Sequence, residues 1–342
     1  MARIAVNPKM LIWARERAGL DIPTLAKRFP KLARWETGEL QPTLRQLEDF
    51  ARAVYIPIGY LFLPEPLQEY LPIPDFRAKD CNGMSRPSPN LLDTIYLCQQ
   101  KQEEVDDSDC SGSLDAPGFV GSATIEDAPE HVAQAMRQTL SFGMEAQRNL
   151  PAWRDVFYAL IKKTEDAGVL VMIGDVVGNN KHRKLSVDEF RGFVLAQEQV
   201  PLIFINGADH EAGQMFTLTH ELAHLWLGES GVSNPEAGKV PELPIERWCN
   251  AVAAEFLIPL AVLRPCYRGD MPIMDEAQQL ARQFNVCTPV ILRRLFDARF
   301  IDEPTLWQNY QEEVAHIRAI EQDNRKFRRR KHNNNIVRRE FG

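Results

Sequence analysis

The stretch MFTLTHELAHLWLG, residues 215–228, places two histidines four positions apart with a glutamate directly after the first. Phe216, Leu218, Leu222, Ala223, Leu225 and Leu227 give it the apolar texture of a buried helix, and Gly228 is its stop signal. Residues four apart on a helix differ by about 40° around the axis, so His220 and His224 share one face. Two neutral imidazoles on one face suit Zn2+. Glu221 lies about 100° from His220 around the same axis. It can reach a water on the metal without being a ligand itself. Zinc lowers the pKa of such a water from about 15.7 to about 7, and a carboxylate placed there accepts its proton.

A zinc site of this kind needs a third protein ligand and one open position. The helix expected from about Pro244 to Leu257 and stopped by Pro259 offers Glu246 and Glu255. Nine residues separate them, so they point to opposite sides of the helix and only one can face the metal. Asn250 follows Glu246 by one turn, and an amide there can hold the outer ring nitrogen of a ligating histidine. Glu255 sits in AAEFLIP without such a companion. Glu246 is therefore the expected third ligand and Asn250 its supporting residue.

Outward from the motif, HVAQAMRQTLSF (131–142) and PAWRDVFYALIKKTEDAG (151–168) read as helices. GVLVMIGDVV (168–177) reads as a buried strand, followed by the turn-like GNNKHRK (178–184). FRGFVLA (190–196) and VPLIFIN (200–206) read as strands joined by a turn at AQEQ. The first of these is either an edge strand able to pair with an extended substrate or an ordinary sheet strand. MDEAQQLARQFN (274–285) and TPVILRRLFDARF (288–300) read as further helices. Strands followed by helices give an α+β fold class.

Residues 8–63 read instead as a set of short helices, with Leu44, Leu47, Phe50, Ala51 and Val54 forming an apolar stripe. Six prolines lie between residues 64 and 90, a linker composition. Residues 103–122 are acidic and rich in small side chains and read as a surface loop. The net charge of −7 argues against a chain that coats nucleic acid along its whole length. Both ends are nevertheless basic: residues 1–36 carry eight Lys/Arg against three acids, and residues 325–339 carry eight and no acid. Runs such as this tail are usually solvated and flexible. Six cysteines, Cys81, Cys98, Cys110, Cys249, Cys266 and Cys287, are scattered with no C-x-x-C pair, which argues against a zinc ribbon. No apolar run reaches about 18 residues, so no membrane span is expected. Free thiols and a cytoplasmic location are the expectation.

HELAH followed by ERWCNAVAAEFLIP (246–259) resembles the ImmA/IrrE metallopeptidases, which in turn resemble thermolysin-like gluzincins. The family pattern there is roughly E-x-x-A-N-x-F-A-A-x-L-L-M-P. Cys249, Val252, Phe256 and Ile258 replace its Ala, Phe, first Leu and Met without touching a proposed ligand. FRGFVLA, PLIFIN and the 215–228 helix match the family's strand, strand and helix signatures, so the resemblance spans about residues 150–300. It implies a zincin-like zinc endopeptidase that cuts a partner protein, often a transcriptional repressor. The setting would be stress, mobile-element induction or a toxin–antitoxin system. Tyr267, Tyr310, His210 and His316 are candidate donors to the oxyanion, none singled out by its context.

The N-terminus resembles an XRE-type helix-turn-helix through Leu25-Ala26, Trp35-Glu36-Thr37-Gly38, Pro42-Thr43 and the L-x-x-L-x-x-F-A that follows. The interval from Ala26 to Trp35 is about four residues shorter than in that family, which removes about one helical turn around the recognition helix. Lys27, Arg28, Lys31 and Arg34 are the candidate phosphate contacts to DNA or single-stranded nucleic acid, with the basic tail as a second route. The alternative is a small helical docking module. The expected division is a helix-turn-helix-like domain (1–66), a proline-rich linker (67–90), the peptidase domain (91–265), a C-terminal helical segment (266–310) and the basic tail (311–342). Two rivals to the enzyme are a DNA-binding regulator whose peptidase-like domain is a sensor, and a protein-interaction antitoxin.

Overall fold

A computed structural model describes residues 3–67, 69–77, 87–108 and 116–340, and side chains as far as 321 together with that of 323. The chain forms two compact units, Met1–Pro72 with Lys79–Leu97, and Ile73–Ala78 with Cys98–Gly342.

The first unit contains four short helices, α1 (Pro8–Arg17), α2 (Ile22–Ala26), α3 (Leu32–Glu36) and α4 (Leu44–Ala53), and a 3-10 turn at Ile58–Phe62. Each start has a sequence cause. Asn7 and Asp21 cap α1 and α2, and Thr43 and Gln46 form a capping box on α4. Leu11, Leu25, Phe29, Leu32, Trp35, Leu47, Phe50 and Leu61 make its core. Arg15 pairs with Glu36 through two hydrogen bonds of 2.7 and 3.3 Å, tying α1 to α3.

The helix α5 (Pro89–Ser108) carries residues of both units. Its last turns correct the expectation of a loop from residue 103. Gln102 is buried and donates to the carbonyls of Leu195 and Val200 at 3.2 and 2.6 Å, and Lys101 pairs with Glu104 at 3.1 Å. An anchored amide and a same-face ion pair hold helix where composition alone suggested a loop. Residues 109–115 of that stretch lie outside the described residues, as do Cys81 and Cys110. Cys98, Cys249, Cys266 and Cys287 are free thiols.

The second unit continues with α6 (Pro129–Thr139), α7 (Met144–Arg148) and α8 (Trp153–Asp166), then β1 (Leu170–Gly174). A small hairpin of β2 (Val176–Val177) and β3 (Asn180–Lys184) follows. Asn-Lys-His-Arg-Lys has no apolar alternation, so the residues read as a turn are in part a strand that the pattern concealed. Next come β4 (Gly192–Leu195), β5 (Leu202–Asn206), the long α9 (Glu211–Leu227) and β6 (Gly231–Ser233). The sheet order is β1-β5-β4-β6, with β1 parallel to β5 and β4 antiparallel to both neighbours. β4 and β5 are wholly buried, as continuous apolar strands should be. β4 lies inside the sheet, which overturns the alternative that FRGFVLA is an edge strand for substrate.

The chain closes with α10 (Pro244–Leu257), α11 (Leu260–Leu263), α12 (Ile273–Phe284), α13 (Thr288–Asp297) and α14 (Glu303–Glu340). α9 and α10 pack against each other, and one core cluster joins them to α6, α8, α12, α13 and the sheet. Residues 266–310 thus share the core of the preceding segment. The helical backbone of α14 runs through the basic stretch that composition had suggested was flexible. Among the described residues no single helix is long and apolar enough to cross a membrane.

Glu255, the rival third ligand, is committed elsewhere. It pairs with Arg294 of α13 and accepts from the Leu260 N–H, and Arg294 also meets Asp297 at 2.9 Å. Both members of the Arg294–Glu255 pair are buried. Arg294→Ala removes the ion-pair partner of the buried Glu255 and is expected to cost about 3–5 kcal/mol in a denaturant titration of the full chain.

Candidate metal centre

α9 is buried along nearly its whole length, and its ends are fixed. The His210 ring accepts from the Gly213 N–H at 2.9 Å at the N-terminus. Gly228 ends the helix in the left-handed region at φ 70°, donating back to His224 and Leu225. α10 starts at Pro244, where a missing N–H is harmless, and stops before Pro259. With both helices so placed, their facing turns meet at one point.

His220, His224 and Glu246 each present a ligand atom there, all within 4.8 Å of one another. The two Nε2 atoms are 3.1 Å apart. Glu246 Oε1 is 3.0 Å from His224 Nε2, and its Oε2 is 3.4 Å from His220 Nε2. A tetrahedral ion with bonds of about 2.0–2.1 Å separates its ligands by about 3.3 Å. The spacing of the donors fits such an ion. The nearby Glu221 is fully buried, and neither of its oxygens makes a hydrogen bond of standard geometry.

The electrostatics agree with that fit. Burial, then the charge of Glu246, push the Glu221 carboxyl well above its usual range, with the Ser233 hydroxyl acting weakly the other way. Burial alone would raise Glu246, but His220 and His224 hold it down to about 2. Burial lowers the pKa of His224, more than the hydrogen bond to Glu246 raises it. A neutral imidazole is the form that binds a metal.

Asn250 stands where the helical spacing put it. Its Oδ1 lies 2.9 Å from His220 Nδ1, and with the amide oxygen accepting, the ring proton sits on Nδ1 and the Nε2 lone pair faces inward. Gly192 of β4 explains how Glu221 is accommodated: a Cβ at that position would lie 2.9 Å from Glu221 Oε1 and 2.6 Å from Thr217 Cγ2.

Two residues near the centre escaped the sequence reading. Ser233 on β6 brings its hydroxyl to 3.5 Å from His224 Nε2. Phe76 stacks on the His224 ring. A three-residue strand gives no periodic signal, and Phe76 lies in a stretch whose prolines mark a linker. Among the described residues none of the four candidate oxyanion donors makes a hydrogen bond to His220, Glu221, His224 or Glu246. Tyr267 stacks on Phe300, Tyr310 on Trp307, His210 caps α9, and His316 lies 3.8 Å from Glu313.

In the first unit Lys27, Arg28, Lys31 and Arg34 are all exposed. Arg28 lies over Phe29 and Arg34 is 3.5 Å from Glu39. Lys27, Arg28 and Lys31 lie between α2 and α3 and Arg34 lies within α3, the two helices being five residues each and so about 7.5 Å long.

Residues 164–296 match the model of a metallopeptidase family, Peptidase_M78, described as the IrrE N-terminal-like domain. This match contains the three donors, Glu221 and Asn250, and it supports a relationship to the ImmA/IrrE proteins. No curated protein gives a significant match to the chain.

Replacing Asn250 by Ala removes the partner of His220 Nδ1. The expected effect is a loss of about 10–100-fold in metal affinity, measured by competition with a chelator.

Proposed function

We propose that this chain is a zinc-dependent endopeptidase, zincin-like in its second unit, that cuts a specific partner protein. The observation that carries the reading is the convergence of His220, His224 and Glu246 at tetrahedral spacing beside the buried Glu221. The family match over the same residues supports it.

His220, His224 and Glu246 would hold a zinc ion, which would supply an activated water and Lewis-acid polarisation of the scissile carbonyl. Glu221 is not needed as a ligand and is free to act as general base through its carboxylate. It takes the proton of the attacking water and returns it to the leaving amine. Asn250 keeps the His220 ring in the tautomer that ligates. The substrate is a protein, and a transcriptional repressor or other regulatory protein is the class the ImmA/IrrE resemblance favours. Stress response, mobile-element induction or a toxin–antitoxin pair is the corresponding setting.

The purified chain is expected to hold about one zinc, lost on His224→Ala. Glu221→Gln should retain zinc while lowering kcat by about 10²- to 10⁴-fold. A metal-free wild-type chain rejects the reading. A Glu221→Gln variant that cleaves a trapped partner at the normal rate rejects the general-base role.

The four exposed cations of the first unit favour a second role, contact of this helix-turn-helix-like unit with nucleic-acid phosphates. Changing Lys31 and Arg34 together to Ala should weaken a mobility shift and flatten its log–log salt dependence by about 0.9 per lost phosphate contact. An unchanged shift removes these residues from the interface.

A further inference from the structure

The two imidazoles of the metal centre are held in different ways. His220 has Asn250 on its Nδ1 at 2.9 Å. The Nδ1 of His224 is buried and finds no hydrogen-bond partner among the described residues. Its ring is instead covered by Phe76, with centroids 5.2 Å apart and planes 6° from parallel.

We propose that Phe76 is a positioning residue of the metal centre, fixing the His224 ring by stacking as Asn250 fixes His220 by hydrogen bonding. The inference rests on reading His220, His224 and Glu246 as zinc ligands. Residues 73–77 then belong functionally to the metal site, although their prolines mark them as a connector.

The delivery of Phe76 is built into the backbone. The Val232 N–H donates to the Pro74 carbonyl, and the Phe76 N–H donates to the Val232 carbonyl, each at 2.9 Å. The segment therefore pairs with β6 on the side away from β4. Arg77 locks it from the other end, meeting Asp75 in two hydrogen bonds of 2.7 Å and Glu189 at 3.7 Å. Gly231 completes the fit, since a Cβ there would lie 2.1 Å from the Phe76 ring. The same short strand that seats Phe76 turns the Ser233 hydroxyl toward His224 Nε2. Coordination withdraws electron density from an imidazole, and the face of an aromatic ring favours the resulting positive charge. Stacking thus both restrains the ring and suits its coordinated state.

The test is zinc affinity of the full chain, by competition with a chromophoric chelator, alongside the visible spectrum of the Co2+-substituted protein. Phe76→Ala is expected to bind zinc about 10–100-fold more weakly and to shift the Co2+ bands, while Phe76→Tyr keeps wild-type affinity. A Phe76→Ala protein that binds zinc as tightly as the wild type overturns the proposal. So does one with unaltered affinity and faster cleavage, which would make the ring a cover over the site. If Phe76→Ala does not fold, Phe76→Leu against Phe76→Tyr decides. A weaker Leu variant supports the role of the aromatic face, and equal affinities overturn it. A zinc-free wild type would overturn this inference and the reading beneath it together. Zinc-replete wild type with an indifferent Phe76→Ala overturns this inference alone.

Discussion

Two carboxylates, Glu221 on α9 and Glu246 on α10, are buried close enough for the charge of one to act on the other, and among the described residues no lysine or arginine acts on either. Buried charge of one sign is costly unless something of the other sign balances it. A divalent cation would balance it, and would turn three mutually crowded donors into three ligands. On the proposed reading, the demand for a cation at that point is the constraint around which the second unit is organised.

Much of the surrounding structure serves to hold the two helices at the right separation and rotation. Capping by His210 and Gly228 fixes the length of α9. The Arg294–Glu255 pair ties α10 to α13 on the side away from the donors, and so gives the second acid of α10 a structural use. β4 passes close above Glu221 only because residue 192 has no side chain. β6 then brings Ser233 and, through the paired segment at Pro74–Phe76, an aromatic ring against His224.

The donors were legible in the sequence because helical geometry converts spacing into direction. Four residues put His220 and His224 on one face, and nine residues forced a choice between Glu246 and Glu255. The apolar runs at 202–206 and 215–228 likewise announced a strand and a helix. What stayed hidden depends on tertiary pairing. Gly231–Ser233 is too short to show a period, and its strand character comes from β4 and from residues 74–76. Asn180–Lys184 is a strand by pairing and not by apolar alternation. Phe76 lies about 150 positions from the ring it covers, and nothing local ties the two together. The helix through Ser108 is secured by Gln102 reaching the backbone between β4 and β5, a contact that composition cannot register.

Zinc-edge X-ray absorption of the purified full chain bears most directly on the convergence of these three side chains on one ion. The expected shell is two imidazole nitrogens at about 2.0–2.1 Å, completed by carboxylate and water oxygens, with no sulfur. A Zn–S distance of about 2.3 Å, drawing the neighbouring Cys249 into the shell, would contradict it, as would a chain that holds no zinc at all.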